Sequence, residues 1–229
     1  MATNVQTAVS RLASVHPATG EVLGELDCAG PTEVRAAVAR ARAAQPDWNA
    51  WGIRNRVRVL RRFQQNLLAA KSDIARRITQ EAGKPYIEAL LTEVFVVLDA
   101  ARFLIENAFP SLREETLPHG NLALKAKSGR ILHEPYGLIG IISPWNYPFS
   151  IPATETLAAL VAGNAVILKP SELTPLIAIE LQSLLHKSGV PDDIFQVLPG
   201  MGIFFSFHYC GIDRRYTICH GKQSTFEGG

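Results

Sequence analysis

Residues 134–175, EPYGLIGIISPWNYPFSIPATETLAALVAGNAVILKPSELTP, decide the fold of this chain. Two short apolar runs, at 138–142 and 165–168, are bounded by proline and glycine, which is typical of strands buried on both faces. Between them, residues 151–160 have helical spacing and stop at a Gly-Asn pair. The stretch therefore predicts a βαβ unit, whose two strands are parallel and whose crossover is right-handed.

Polar residues follow each of the two predicted strands. Asn146 lies in a Pro-Trp-Asn-Tyr-Pro turn after the first strand, and Lys169 and Glu172 follow the second. Because ligands of open parallel sheets bind beyond the carboxyl ends of the strands, we expect these residues to line one cleft. An amide, an ammonium and a carboxylate suit a nucleotide and a developing oxyanion. A turn asparagine and a surface Lys–Glu ion pair are the structural alternatives, which the residues alone leave open.

The same stretch resembles the aldehyde dehydrogenases, and the resemblance extends from about residue 10 to about residue 202. It rests on the Pro-Trp-Asn turn at 144–146, the AGNAVILKPSE block at 162–172 and the Val-Leu-Pro-Gly strand end at 197–200. The resemblance implies an α/β fold: a doubly wound, Rossmann-like cofactor domain with an N-terminal helical layer and an oligomerisation hairpin. It also implies a homo-oligomeric, NAD(P)-dependent oxidoreductase that oxidises an aldehyde to a carboxylic acid.

The resemblance assigns roles to residues of the cleft. Asn146 matches the asparagine whose side-chain amide stabilises the oxyanion of the tetrahedral intermediate, and Lys169 and Glu172 match the residues that hold the adenosine ribose. Five further residues are expected to line the cofactor cleft: Ile142, Ser143, Pro144, Trp145 and Ser171. Since the Glu172 carboxylate would repel a 2′-phosphate, NAD is expected as the cofactor and NADP is less favoured.

Residues 1–114 are predicted to contribute strands and helices to the cofactor-binding domain. One helix is expected to begin with Thr32 as its N-cap and to end at Pro46, and two further helices are expected to meet near Ser72. A last helix, from Pro85 to about Phe109, has an apolar stripe at helical spacing. The stripe predicts core positions at Leu91, Val94, Phe95, Leu98, Ala101 and Ile105.

Residues 115–134 are predicted to form the oligomerisation hairpin, with its turn at Ser128-Gly129. Residues 135–202 are predicted to form the βαβ core of the NAD-binding domain, with a third strand at 195–198. The outer edge of this third strand should be unpaired where further strands belong, so the chain is expected to associate or aggregate.

The amino-acid sequence after Gly202 no longer resembles the family, and it has no helical periodicity where the resemblance implies a helix. Residues 203–229 are therefore interpreted as sequence from outside the family, and a shifted reading frame, an assembly error and genuine divergence all stay open. The catalytic cysteine and glutamate of the resembled enzymes lie in Gly-Gln-x-Cys and Glu-Leu-Gly-Gly contexts, which do not occur in these 229 residues. The alternative to an active enzyme is thus a truncated, catalytically inactive fragment that retains part of the dinucleotide cleft and a subunit-pairing surface.

Composition limits the functional classes and partners that remain for this chain. A formal net charge of +2, with 47% hydrophobic and 19% charged residues, favours neither a nucleic-acid partner nor an anionic membrane. The arginines between 54 and 62 are interpreted as a solvated helix face, because no aromatic residues interleave with them. Three cysteines are too few for a disulfide framework, and the His and Cys residues after 203 lack metal-ligand spacing, so no metal is expected. A cytoplasmic location without a membrane span is expected.

Overall fold

The computed structural model describes residues 11–117, 127–201 and 217–219. Its elements in chain order are β1 (Arg11–Val15), β2 (Val22–Asp27), α1 (Pro31–Ala50), α2 (Ile53–Ala82), α3 (Tyr86–Ala89), a π turn (Leu90–Val94), α4 (Phe95–Leu112), β3 (Glu115–Leu117), β4 (Gly129–Ile131), β5 (Leu138–Ile142), α5 (Ser150–Val161), β6 (Ala165–Lys169), α6 (Pro175–Ser188), β7 (Phe195–Val197) and β8 (Thr217–Cys219). None of the helices in the described ranges is long and apolar enough to cross a membrane.

The predicted βαβ unit forms the centre of the structure. β5 and β6 pair in parallel from Leu138 beside Ala165 to Ile142 beside Lys169, and α5 connects them. β7 pairs in parallel with the other edge of β6, after the crossover through α6. All five residues of β6 are buried, as expected for a strand in the interior of an α/β sheet. The α/β fold predicted from the sequence is therefore confirmed.

The sheet of the described residues has the order β7-β6-β5-β8. β8 pairs in parallel with β5, from Gly140 beside Thr217 to Ile142 beside Cys219. The expectation that further strands belong beside the third strand is therefore wrong, because the next described strand joins the opposite side of the sheet. Part of the segment 203–229 thus contributes to the sheet. The association of the chain stays a prediction.

Helix α1 is longer than predicted at both ends. Gly30 is its N-cap instead of Thr32, and the Glu33 carboxylate accepts a hydrogen bond of 3.0 Å from the Gly30 N–H. The helix also continues through Pro46 to Ala50, although an internal proline removes one backbone hydrogen bond. Tertiary contacts on both sides offset that loss, because Gln45 donates to the Gly163 carbonyl and Trp48 donates to the Leu160 carbonyl.

Helix α2 is one continuous helix of 30 residues, not two helices that meet near Ser72. Its buried side continues across that point through Leu67, Ile74 and Ile78. Asp73 does not start a new helix; its carboxylate pairs instead with Arg76, one turn further along, at 2.8 Å. α2 packs against α4, α5 and α6, so these tertiary contacts outweigh the local stop signal.

The helical stripe predicted from residue 91 onward is correct only in part. Val94 and Ala101 are fully buried, whereas Leu91 and Phe95 are 55% and 42% exposed. The π turn between α3 and α4 explains the difference, because its wider turn shifts the phase of the residues on the two sides of it.

The predicted hairpin exists as a two-stranded antiparallel sheet, but its turn is not at Ser128-Gly129. β3 pairs with β4 from Glu115 beside Ile131 to Leu117 beside Gly129. Gly129 is thus a strand residue, and the first arm lies nearer the N-terminus than the alternating residues 122–126 indicated. Those residues lie outside the described ranges.

Candidate functional site

The carboxyl ends of β5 and β6 lie side by side and bring most of the predicted site residues together. Ile142 is the register partner of Lys169, and the Ser143 N–H donates a hydrogen bond of 3.1 Å to the Lys169 carbonyl. Ser143 is buried, and Ile142 and Pro144 are half-buried. The segments that carry Asn146 and Glu172 therefore leave neighbouring strand ends, as the sequence predicted.

Lys169 and Glu172 form an ion pair at the end of β6, with 3.1 Å between Nζ and Oε2. The lysine side chain is 4% exposed and the glutamate side chain 41% exposed. Burial raises the pKa of Glu172, but its own backbone N–H and the Lys169 charge outweigh burial and hold the pKa below its ordinary value. Lys169 and Glu172 are therefore not an ordinary surface ion pair. The ammonium is buried, while the ionised carboxylate remains open to a ligand.

Ser171 fixes the turn between the two charged residues. It is 8% exposed, and its Oγ accepts a hydrogen bond of 3.2 Å from the Leu173 N–H. This local bond is a Ser-type turn that holds the backbone after Pro170. Ser171 therefore shapes the loop that presents Glu172, and its hydroxyl is already engaged with the backbone.

Asn146 lies in an exposed turn between Pro144 and Pro148. Trp145 is 56% exposed and Tyr147 is 37% exposed, whereas Pro148 is buried. Within the described residues, no backbone–backbone hydrogen bond involves residues 144–148. Asn146 is itself exposed, and Pro148, two residues on, has no N–H that its side chain could bond as in an Asn turn. The side-chain amide is therefore open to a ligand.

Two side chains beside the Asn146 turn, one buried and one half-buried, were not identified from the sequence. Glu93, in the π turn, is 0% exposed; its Oε1 pairs with Lys84 Nζ at 2.7 Å. Its Oε2 accepts the N–H groups of Phe149 and Ser150 at 2.8 and 3.1 Å. Lys84 Nζ also lies 3.7 Å from the ring centroid of Tyr147, a cation–π contact. The one signal of this role in the sequence was the position of a charged residue, Glu93, among the mainly apolar residues of the π turn and α4.

A second buried glutamate has the same relation to helix α6. Glu81 accepts the N–H groups of Leu176 and Ile177 at 2.7 and 2.8 Å, and also the Ser14 hydroxyl at 2.7 Å. The helices that follow both site strands therefore begin on a buried carboxylate of this chain. Carboxylates are favourable at helix N-termini, because the unpaired N–H groups and the helix dipole point toward them.

The opposite end of α5 is held by a buried arginine. Arg56 donates to the carbonyl of Val161 at 3.0 Å and to those of Trp48 and Asn49 at 3.3 and 2.8 Å. The prediction that Arg56 lies on a solvated helix face is wrong, because the residue is 5% exposed. Its neighbours Arg54, Arg58, Arg61 and Arg62 are exposed. Burial lowers the pKa of the Arg56 guanidinium.

The other features of the described residues offer fewer candidate functional groups. A surface depression of about 480 Å³ lies between α2 and α4, lined by residues such as Leu68, Phe95 and Arg102, and it contains none of the predicted site residues. Among the described residues, no group of three or more His, Cys, Asp or Glu side chains could hold a metal ion. His208, Cys210 and His220 lie outside the described ranges.

Parallel strands whose carboxyl ends carry an exposed amide and a lysine–glutamate pair define an α/β protein with polar residues at one edge of its sheet. A family model described as the aldehyde dehydrogenase family matches residues 4–205. This chain therefore belongs to the aldehyde dehydrogenase family, a family of oxidoreductases. The match includes the three motifs that suggested it and ends close to residue 202, where the sequence changes character.

Solved structures agree with this assignment. An NADP-dependent enzyme of E. coli has a TM-score of 0.79 and 30% identity, covering 85% of this chain and 40% of that one. The NAD⁺ complex of an aldehyde dehydrogenase from Bacillus cereus has a TM-score of 0.79 and 26% identity, covering 85% and 39%. Succinate-semialdehyde dehydrogenase from Burkholderia pseudomallei has a TM-score of 0.78 and 30% identity, and the match covers 85% of this chain and 39% of that one. The chain thus spans about 40% of the length of these relatives.

Proposed function

We propose that this chain supplies the adenosine-binding half of a cofactor cleft for NAD-dependent oxidation of an aldehyde to a carboxylic acid. The observation that carries the proposal is the ion pair of buried Lys169 with half-exposed Glu172 at the end of β6. An ammonium donor and an ionised acceptor, held 3.1 Å apart, can bond the two neighbouring hydroxyls of a ribose. A bound nicotinamide cofactor would supply the hydride acceptor of the reaction.

Asn146 has the second role in the proposal. Its side-chain N–H donates a hydrogen bond to the oxygen of the aldehyde as that oxygen becomes negatively charged. A donor that is fixed before the reaction gains more from the transition state than from the substrate, and such a donor contributes about 10²–10³ in rate. The exposed turn leaves this amide open for that contact.

NAD is the proposed cofactor, with NADP disfavoured. The compared proteins include one described as NADP-dependent and one solved with NAD⁺, so similarity alone leaves the preference open. Glu172 supports NAD, because a carboxylate that bonds the ribose 2′-hydroxyl repels a phosphate at the same position. Its lowered pKa keeps the group charged at neutral pH.

Association with a second copy through the hairpin at 115–134 also belongs to the proposal. Its support is the antiparallel β3–β4 ribbon, whose residues of β3 are all exposed; a two-stranded ribbon is marginal without a partner. A cytoplasmic location rests on the low and scattered cysteine content.

A second candidate function is a chain that binds the adenosine part of the cofactor but turns nothing over. The absence of Gly-Gln-x-Cys and Glu-Leu-Gly-Gly contexts from the 229 residues favours it for this chain by itself. In that case the cleft would still recognise a nucleotide, because the βαβ unit that positions Lys169 and Glu172 is complete.

Calorimetric titration of the 229-residue chain with NAD, AMP and 2′-phospho-AMP tests the ribose site. We expect AMP to bind about as well as NAD, because the proposed contacts hold only adenosine, and 2′-phospho-AMP to bind more weakly. The expected dissociation constant for AMP is about 1 mM, roughly 4 kcal/mol of binding free energy. Glu172→Ala should abolish measurable AMP binding.

The matched control is Glu106→Ala, which removes an exposed glutamate that pairs only with Arg102, at 3.7 Å. It should leave AMP binding unchanged. If AMP binds and Glu172→Ala does not weaken it, the assigned ribose site is wrong. Micromolar NAD binding would contradict the limit to adenosine contacts, because the cofactor would then have further partners in this chain.

A further inference from the structure

The turn that carries Asn146 has few contacts of its own. Ser143 is fixed before it by the hydrogen bond to Lys169, and the backbone of residues 144–148 has no backbone–backbone hydrogen bond within the described ranges. Two prolines remove N–H donors from the turn. The orientation of Asn146 therefore depends on whatever fixes the residues that follow it.

Glu93 fixes those residues. Its Oε2 accepts the N–H groups of Phe149 and Ser150, three and four positions after Asn146, where α5 begins. Its Oε1 pairs with Lys84, whose ammonium also contacts the ring of Tyr147 directly beside Asn146. One buried carboxylate and one lysine thus hold both the end and the middle of the turn.

We propose that Glu93, together with Lys84, is a positioning residue that orients the Asn146 turn for its role at the oxyanion. The functional meaning rests on the role proposed above for Asn146. The π turn has a part in this arrangement, because it interrupts the helix at the residues that include Glu93. Within the described residues, the hydrogen-bond and ion-pair partners of Glu93 are the backbone N–H groups of Phe149 and Ser150 and the Lys84 ammonium, so its action on the reaction passes through the turn.

Amide hydrogen exchange of the 229-residue chain, read by mass spectrometry at low concentration, tests the proposal. In Glu93→Gln, one carboxylate oxygen becomes an NH₂ donor and the side chain loses its charge. The remaining amide oxygen has two lone pairs, so it cannot accept Lys84 and both backbone N–H groups together. We expect exchange of the Phe149 and Ser150 amides to accelerate about tenfold or more, because charge-assisted bonds to a buried acceptor are lost.

Glu81→Gln is the matched control. Glu81 is also buried and also accepts two N–H groups at the start of a helix. This variant should accelerate exchange at Leu176 and Ile177 and leave Phe149 and Ser150 unchanged. Equal acceleration at 149–150 in both variants would overturn the proposal, because the effect would then be general destabilisation.

A spectroscopic measurement gives a second, independent test. The emission of Trp145, obtained by difference from Trp145→Phe, should shift in Glu93→Gln and in Lys84→Met but not in Glu81→Gln. Lys84→Met leaves the Glu93 carboxylate and its two backbone donors in place, so it remains informative if Glu93→Gln does not fold. Unchanged Trp145 emission in folded Lys84→Met, or unchanged exchange in folded Glu93→Gln, overturns the proposal.

The charge swap Lys84→Glu with Glu93→Lys separates the two bonds of Glu93. It restores an ion pair but places a donor against the N–H groups of Phe149 and Ser150, so their exchange should stay fast. Restored protection would overturn the proposal. AMP titration reports on Lys169 and Glu172 alone, so failure of AMP binding contradicts the proposed ribose site and leaves the exchange result interpretable.

Discussion

Glu81 is a buried carboxylate with three hydrogen-bond donors around it: the Ser14 hydroxyl and the N–H groups of Leu176 and Ile177. Burial raises its pKa above the ordinary value of 4.5, and the three hydrogen bonds and the Arg77 charge only partly oppose burial. In the pH range between the unfolded and folded pKa values, the folded chain therefore holds a proton that the unfolded chain has released.

This difference predicts how Glu81 affects stability with pH. Its contribution is fully present below about pH 4.5 and is lost as the pH rises through the folded-state pKa. Urea unfolding of the chain and of Glu81→Gln should therefore show that the wild-type free energy of unfolding falls, relative to the variant, as the pH rises from 4.5. A difference that is constant with pH, or that grows, would contradict the raised pKa.

The site residues that the sequence predicted and those it missed differ in the range of their contacts. The positions of Asn146, Lys169 and Glu172 at the ends of β5 and β6 could be predicted, because those two strands have a strong local pattern. Glu93 and Glu81 could not be predicted, because the N–H groups that donate to them are far away in sequence. Those that donate to Glu93 lie 56 and 57 positions along the chain, and those that donate to Glu81 lie 95 and 96 positions along it. Nothing near residue 93 in the sequence indicates which helix start the carboxylate will meet.

Helix α5 has a buried charge of the favourable sign at each end. Glu93 binds the N–H groups at its start, and Arg56 binds the Val161 carbonyl at its end. Arg56 also binds two carbonyls near the end of α1, so one guanidinium joins the ends of two helices. Such pairing of charge with helix dipole is worth most where water is excluded.

We expect Arg56→Met to lower the free energy of unfolding by about 2 kcal/mol. The methionine fills the space but leaves the carbonyls of Trp48 and Val161 without the Arg56 donor, which outweighs the relief of a buried charge. The Asn49 carbonyl keeps the Gly52 N–H as a donor. Arg58→Met, an exposed arginine on the same helix, is the control and should change stability by less than about 0.5 kcal/mol. Equal effects of the two substitutions, measured by urea unfolding, would show that the carbonyl contacts contribute nothing.

The helices and strands also differ in whether local sequence signals or tertiary contacts determine them. β5, α5, β6 and α6 could be predicted closely, because their periodicity and their glycine and proline boundaries are local. Pro46 and the Ser72-Asp73 pair indicated helix ends that the structure does not have, since Trp48 and Ile74 are buried in tertiary contacts beyond them. The π turn left no signal in the hydrophobic pattern, and it moved Leu91 and Phe95 to the surface.

At the scale of the whole molecule, the family match and the length of the chain lead to a prediction about activity. The chain spans about 40% of the length of its solved relatives. None of Cys28, Cys210 and Cys219 lies in a Gly-Gln-x-Cys context. We therefore expect the purified 229-residue chain by itself to form no NADH from NAD and a panel of short aldehydes, because no positioned thiolate attacks the carbonyl.

Absorbance of NADH over several hours measures this, with a full-length family enzyme as the positive control. NADH formation that disappears when one of the three cysteines is replaced by serine would contradict the prediction and identify a nucleophile in an unexpected context. Formation that persists in all three serine variants would point to a contaminating enzyme.

The two carboxylates at the starts of α5 and α6 also determine how the cleft acts at a distance. A free helix start attracts anions, but here the carboxyl groups of Glu93 and Glu81 already accept the N–H groups at both helix starts. The charge of Lys169 is likewise balanced by Glu172. These groups therefore add little long-range attraction for an anionic dinucleotide at the proposed ribose site. Electrostatic steering contributes little to the encounter, so the rate of capture by this surface depends only weakly on ionic strength.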